Sequence, residues 1–124
     1  MAKKILLVED EKILVEMYKE KLIQAGFEVF LAFESKEGLD LAKKEKPDLI
    51  ILDILLPREN GIAFLNWIRK EKEIAQIPVV IFSNYDDPKT KREALELGAK
   101  DYLIKTNYTP SEVVMKVKQI LNVK

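Results

Sequence analysis

The sequence predicts an α/β fold, a parallel sheet with helices on both faces. Two observations carry that expectation. Five short apolar runs alternate along the chain with segments of helical spacing. The most apolar runs, Ile5–Val8, Leu49–Leu52 and Val79–Phe82, are continuous rather than alternating with polar residues, as strands covered on both faces require. Strict strand–helix alternation places each strand parallel to the next through a crossover. Those three runs should be the central strands.

The first strand is expected at Lys4–Val8 and the second at Phe27–Leu31, where Gly26 precedes a β-rich run that includes Glu28. The third is Leu49–Leu52. The fourth, Val79–Phe82, follows Pro78, where a missing donor is tolerable. The fifth and shortest is Tyr102–Ile104. Between them, Glu11–Gln24 spaces Leu14, Tyr18 and Leu22 four apart, and Gly26 follows its end. Ser35–Lys44 carries Leu39, Leu41 and Ala42 as a weaker helix. Gly61–Arg69 spaces Ile62, Leu65 and Ile68 three apart. Pro88–Leu97 starts after Asp87, an N-cap candidate, and stops before Gly98. Thr109-Pro110-Ser111-Glu112 is a capping box with proline at the first helical position. Val113, Val117, Ile120 and Leu121 then form one apolar face.

The elements use up all 124 residues, so residues 1–124 are read as a single domain without repeat or linker. Composition excludes several chemistries. With no cysteine and no histidine, the chain holds no disulfide, thiolate, imidazole base or phosphohistidine of its own. The 21 basic and 21 acidic residues cancel, which argues against direct nucleic-acid binding by this chain. No apolar stretch is long enough to cross a bilayer. Met-Ala-Lys-Lys leads straight into a strand with no small-residue cleavage region, so a cytoplasmic location is expected.

Ligands of open α/β sheets bind outside the carboxyl ends of the strands. Those ends carry Glu9-Asp10-Glu11, Asp53, Ser83-Asn84 and Lys105-Thr106. If the first and third strands are neighbours, Glu9, Asp10 and Asp53 converge. Carboxylates so close hold either protons or a cation. An all-oxygen set suits Mg²⁺, which keeps waters and takes phosphate oxygens. A carboxylate beside such an ion is a candidate nucleophile towards a phosphoryl group. Lys105 would neutralise one phosphoryl oxygen and Ser83 would donate to another. Taken singly, each residue has a plainer reading. Asp53 would end a strand in a turn, Glu9 and Glu11 would be acids of a helix first turn, and Tyr102 would be core. Trp67 reads as a half-buried helix residue.

With those residues in place, the sequence resembles the receiver domain of bacterial two-component response regulators, the flavodoxin-like fold of the chemotaxis regulator. The resemblance covers essentially the full length. The family's acidic pair falls on Glu9-Asp10, and its acceptor segment on Asp53-Ile54-Leu55-Leu56-Pro57-Arg58-Glu59-Asn60-Gly61. Its hydroxyl residue falls on Ser83, its switch aromatic on Tyr102 and its lysine on Lys105. The resemblance implies strand order 2-1-3-4-5, which sets the first and third strands side by side. It implies Asp53 as phosphoacceptor, with Glu9, Asp10, Asp53 and the Leu55 backbone carbonyl around Mg²⁺, for which Mn²⁺ substitutes. It implies a sensor histidine kinase or phosphotransfer protein as donor, a downstream target or output domain, no membrane partner, and a monomer or weak dimer. Ser83 and Tyr102 would convert the new charge into a changed surface on the fourth helix, fifth strand and fifth helix.

The sequence departs from the family at two positions. Thr106 replaces the proline that follows the lysine through a cis bond, and Asn84 replaces a small residue. Leu55 and Tyr85 are bulky at positions that set phosphoryl lifetime in the family, which points to slow hydrolysis. The rival reading is a phosphorylation-independent interaction domain on the same fold. A Mg²⁺-dependent phosphatase would need a second aspartate where Leu55 stands. The dispersed Gly26, Gly38, Gly61 and Gly98 form no phosphate-cradling loop.

Overall fold

The computed structural model describes residues 2–124. Strands β1 (Lys4–Val8), β2 (Glu28–Ala32), β3 (Leu49–Leu52), β4 (Val79–Ser83) and β5 (Asp101–Ile104) alternate with helices α1 (Lys12–Gln24), α2 (Ser35–Glu45), α3 (Gly61–Lys70), α4 (Pro88–Glu96) and α5 (Pro110–Leu121). The strands form one parallel sheet in the order β2-β1-β3-β4-β5. Among the described residues no helix is long and apolar enough to cross a membrane.

Period-two alternation sends the two sides of each strand into two separate cores. Leu6, Val8, Ile50, Leu52, Val79 and Ile81 pack with Phe64, Leu65 and Ile68 of α3, Ala42 of α2 and Ala94 of α4. Ile5, Leu7, Leu49, Ile51, Val80 and Phe82 pack with Val15, Tyr18 and Leu22 of α1 and Val113 and Val117 of α5. The edge of Tyr18 meets Phe82 with ring centroids 5.0 Å apart.

Several ends shift by one residue, and three elements, β2, β5 and α1, start at a different residue from the sequence expectation. Phe27 is buried against α1, but its N–H donates to Leu22 O at 3.1 Å and closes the helix end. The strand therefore starts at Glu28. Before it, Gly26 makes the turn at φ +99°, a conformation that costs a side chain energy. β5 begins one residue early because Asp101 pairs in register with Val80. Glu11 is the cap residue of α1 with extended backbone, not an acid of its first turn. The capping box at Thr109 and Glu112 forms as expected, and the Asp87 side chain caps α4 through Thr90 N–H.

Candidate functional site

Register brings the polar strand ends to one rim. Val8 stands opposite Leu52, and Ser83 opposite Ile104. Asp53 N–H donates to Val8 O at 3.0 Å, which carries the pairing one residue beyond the strands. Glu9 and Asp53 thus leave the sheet side by side. Carboxylate oxygens of Glu9, Asp10 and Asp53 lie within 4.8 Å of one another. Glu9 and Asp53 are buried, while Asp10 is exposed and faces solvent.

Lys105, directly after β5, closes the cluster. Its buried ammonium donates to Asp53 Oδ2 at 2.9 Å and to Glu9 Oε1, and lies 3.6 Å from Glu11. Burial acts to lower the Lys105 ammonium, but its hydrogen bonds to Glu9 and Asp53 outweigh that and hold it above its usual value. Burial pushes the Glu9 carboxyl up to about 7, against the pull of Lys105 and with the help of the Asp53 charge. Glu9 Oε2 also accepts from Glu11 N–H at 3.2 Å. Glu11 therefore belongs to this rim, although its sequence position reads as an ordinary helix acid.

The segment after Asp53 is held tightly. Leu55 N–H donates to Asp53 Oδ1 at 3.1 Å, and Gly61 N–H donates to Ile54 O at 2.8 Å. A Cβ on Gly61 would stand 2.4 Å from the Asp53 carbonyl oxygen. Only glycine fits there, which gives the spacing from Asp53 to Gly61 a steric reason. Asn60 caps α3 by accepting Ala63 N–H at 3.0 Å. The Leu55 side chain is exposed.

Ser83 is fully buried, and its Oγ accepts Tyr85 N–H at 3.2 Å. The Tyr102 hydroxyl donates to the Tyr85 carbonyl. Burial first, then the charges of Asp53, Asp86 and Asp87, raise that hydroxyl to about 12. Lys91 stands 5.8 Å from the Tyr102 ring centroid. After Lys105 the chain makes a short 3₁₀ turn, Lys105–Asn107, and every peptide bond among the described residues is trans. Trp67 is half-buried and lines a cavity with Pro57 and Lys36 that includes none of Glu9, Asp10, Asp53 or Lys105.

The site is a cluster of hard oxygen donors with one buried ammonium and one buried hydroxyl beside it. The donor chemistry fits a divalent cation that also takes phosphate oxygens.

Comparison with known proteins agrees. The family model described as "Response regulator receiver domain" matches residues 5–118. The chain is 40% identical over 121 residues to the alkaline phosphatase synthesis transcriptional regulatory protein PhoP of Bacillus subtilis, covering 98% of this chain and 49% of that protein. It therefore spans about half the length of this curated relative. Among solved structures, the receiver domain of Francisella response regulator 1452 is 31% identical with TM-score 0.85, covering 97% of each chain. A CheY-like response regulator receiver domain protein from Methanospirillum hungatei is 27% identical with TM-score 0.91, covering 98% of this chain and 95% of that one.

Proposed function

The chain belongs to the response regulator receiver domain family of two-component signal transduction, and on that premise we propose that Asp53 is its phosphoacceptor. One observation carries the reading: the buried Asp53 carboxylate sits beside the acids Glu9 and Asp10 and accepts a hydrogen bond from the Lys105 ammonium, which Glu9 shares. An Asp53 oxygen attacks the phosphorus of a phosphohistidine on a sensor histidine kinase or phosphotransfer protein, or of a small acyl phosphate. The new O–P bond replaces the donor's N–P or O–P bond, and the leaving group takes the electron pair. The reaction modifies this chain itself, and no outside metabolite is turned over.

Glu9, Asp10, Asp53 and the Leu55 carbonyl are the groups that would hold Mg²⁺, or Mn²⁺ in its place. When bound, the cation neutralises phosphoryl charge and orients the oxygens. Lys105 already touches Asp53, so it needs little movement to pair with a phosphoryl oxygen. Ser83 donates its hydroxyl to another oxygen, which takes its oxygen away from Tyr85 N–H. Tyr102, now anchored on the Tyr85 carbonyl, turns inward as that segment shifts. The surface of α4, β5 and α5 changes with it and is read by a downstream target or output domain. Residues 1–124 form one receiver unit that works in the cytoplasm, as a monomer or weak dimer, without direct contact to nucleic acid or membrane.

The test is intact mass after incubation with acetyl phosphate, with and without Mg²⁺, beside Asp53→Asn. One phosphoryl group gained only with Mg²⁺, and never by the variant, is expected. Equal labelling of Asp53→Asn would overturn the assignment. No labelling, together with an amide spectrum unmoved by beryllofluoride and Mg²⁺ at Ser83 and Tyr102, would leave a phosphorylation-independent domain.

A further inference from the structure

We infer that Asn84 is a positioning residue for phosphoryl recognition, because its side chain ties the end of β4 to the turn that carries Lys105. The inference rests on the reading of Asp53 as phosphoacceptor. Thr106 N–H donates to Asn84 Oδ1 at 3.2 Å, between residues 22 apart in sequence. Register sets this up. Ser83 stands opposite Ile104, so the next residues of both strands leave the sheet at one level. Asn84 directly follows Ser83, and Thr106 directly follows Lys105. The bond therefore joins the chain neighbours of the two side chains that would meet phosphoryl oxygens.

Backbone chemistry explains why these two residue types occur together. The Thr106 N–H lies in the first turn of a 3₁₀ segment, where donors have no partner within the turn. A proline at this position would offer no N–H, and a small apolar residue at 84 would offer no acceptor. In this chain the donor and acceptor are both present and satisfy each other.

The neighbouring bonds behave differently. Tyr85 N–H rests on Ser83 Oγ, and the Tyr85 carbonyl accepts from the Tyr102 hydroxyl. Both depend on groups that move when the phosphoryl group arrives. The bond from Thr106 to Asn84 depends on neither. It survives the switch and keeps Ser83 and Lys105 at a set separation while Tyr85 and the residues after it move. Asn84 and Thr106 are both exposed, so the bond adds little to global stability. Its effect lies in holding two phosphoryl ligands ready before binding.

Affinity for beryllofluoride in the presence of Mg²⁺ reads this directly. Asn84→Ala and Thr106→Pro should each weaken it roughly five-fold, the scale of one ordinary hydrogen bond. The double variant should lose no more than either single one. The urea midpoint of Asn84→Ala should stay near that of the native chain, which separates positioning from stability. Unchanged affinity in Asn84→Ala, or losses that multiply in the double variant, would overturn the inference. A second measurement needs no variant. Scalar coupling across the hydrogen bond, between the Thr106 amide nitrogen and the Asn84 side-chain carbonyl carbon, should be present before and after beryllofluoride binds. Its absence in either state would also overturn the inference, even if Thr106→Pro does not fold. If the native chain fails to bind beryllofluoride at all, the reading of Asp53 fails and the inference falls with it. If the native chain binds and the variants bind equally well, only the inference falls.

Discussion

Two cations are drawn into the body of the molecule, at opposite ends of the sheet, and they are satisfied in opposite ways. Lys105, at the carboxyl ends of the strands, meets the carboxylates Glu9 and Asp53. Arg69, near the start of β4, meets only backbone carbonyls: Leu97 at 2.7 Å, Ile77 at 2.8 Å, Ala75 at 3.0 Å and Gly98 at 3.3 Å. Carbonyl dipoles neither titrate nor leave, so Arg69 clasps the end of α3 to the end of α4 in one arrangement. Carboxylates accept protons, metal ions and phosphoryl groups, so the partners of Lys105 can be exchanged. One end of the sheet is fastened and the other is poised to change.

The largest expected effect tests the poised end. Lys105→Met leaves two buried carboxylates without their cation and should cost about 3 kcal/mol in urea denaturation near pH 8 without metal. Mg²⁺ should then restore more stability to this variant than it adds to the native chain. An equal response to Mg²⁺ in both would remove the contrast. Arg69→Met deprives the carbonyls of their donors and should cost about 2 kcal/mol. Here Mg²⁺ should recover none of the difference, and beryllofluoride affinity should match the native chain. A ten-fold loss of that affinity would move Arg69 into the switch.

Thr109→Ala removes the oxygen that accepts Glu112 N–H and should cost about 1 kcal/mol. The Thr109 side chain bonds Glu112 and neither cation, so this loss should add to either of the others within roughly 0.5 kcal/mol. Coupling larger than that would mean the two ends share α5. A pH slope tests the Tyr102 side of the same rim. The Tyr102 hydroxyl is raised from 10.0 to about 12, so the folded chain keeps a proton that the unfolded chain releases in that window. Native stability should therefore decline from pH 10 towards pH 12 more steeply than that of Tyr102→Phe. Parallel slopes in the two proteins would show that Tyr102 contributes no titration there.

Much of this was legible in the sequence, for identifiable reasons. Leu49–Leu52 is buried on both sides, so its apolar run and its strand coincide. Glu9, Asp10, Asp53, Ser83 and Lys105 could be placed because strand ends bound the search for ligands. Phe27 misled because burial and sheet pairing are different properties. Its ring fills the core while its N–H caps a helix. Arg69 gave no signal beyond a basic residue in a last helical turn, since its acceptors are carbonyls that any sequence supplies. Asn84 and Thr106 each stood out alone. Their pairing follows only from the register of β4 and β5, which alternation of elements does not encode.

The bond between Lys105 and Glu9 spans 96 residues, and that separation has a meaning during synthesis. A ribosome adding roughly 5–20 residues per second delivers Glu9 and Asp53 well before Lys105. Until β5 arrives, β4 has an open edge and the acids have no counter-ion from their own chain. A nascent chain can thus pair β1, β2 and β3 while its acidic centre is still incomplete. The last strand closes the sheet and brings the ammonium to the centre in one step. Translational stalling before residue 105 would therefore leave Glu9 and Asp53 without that counter-ion.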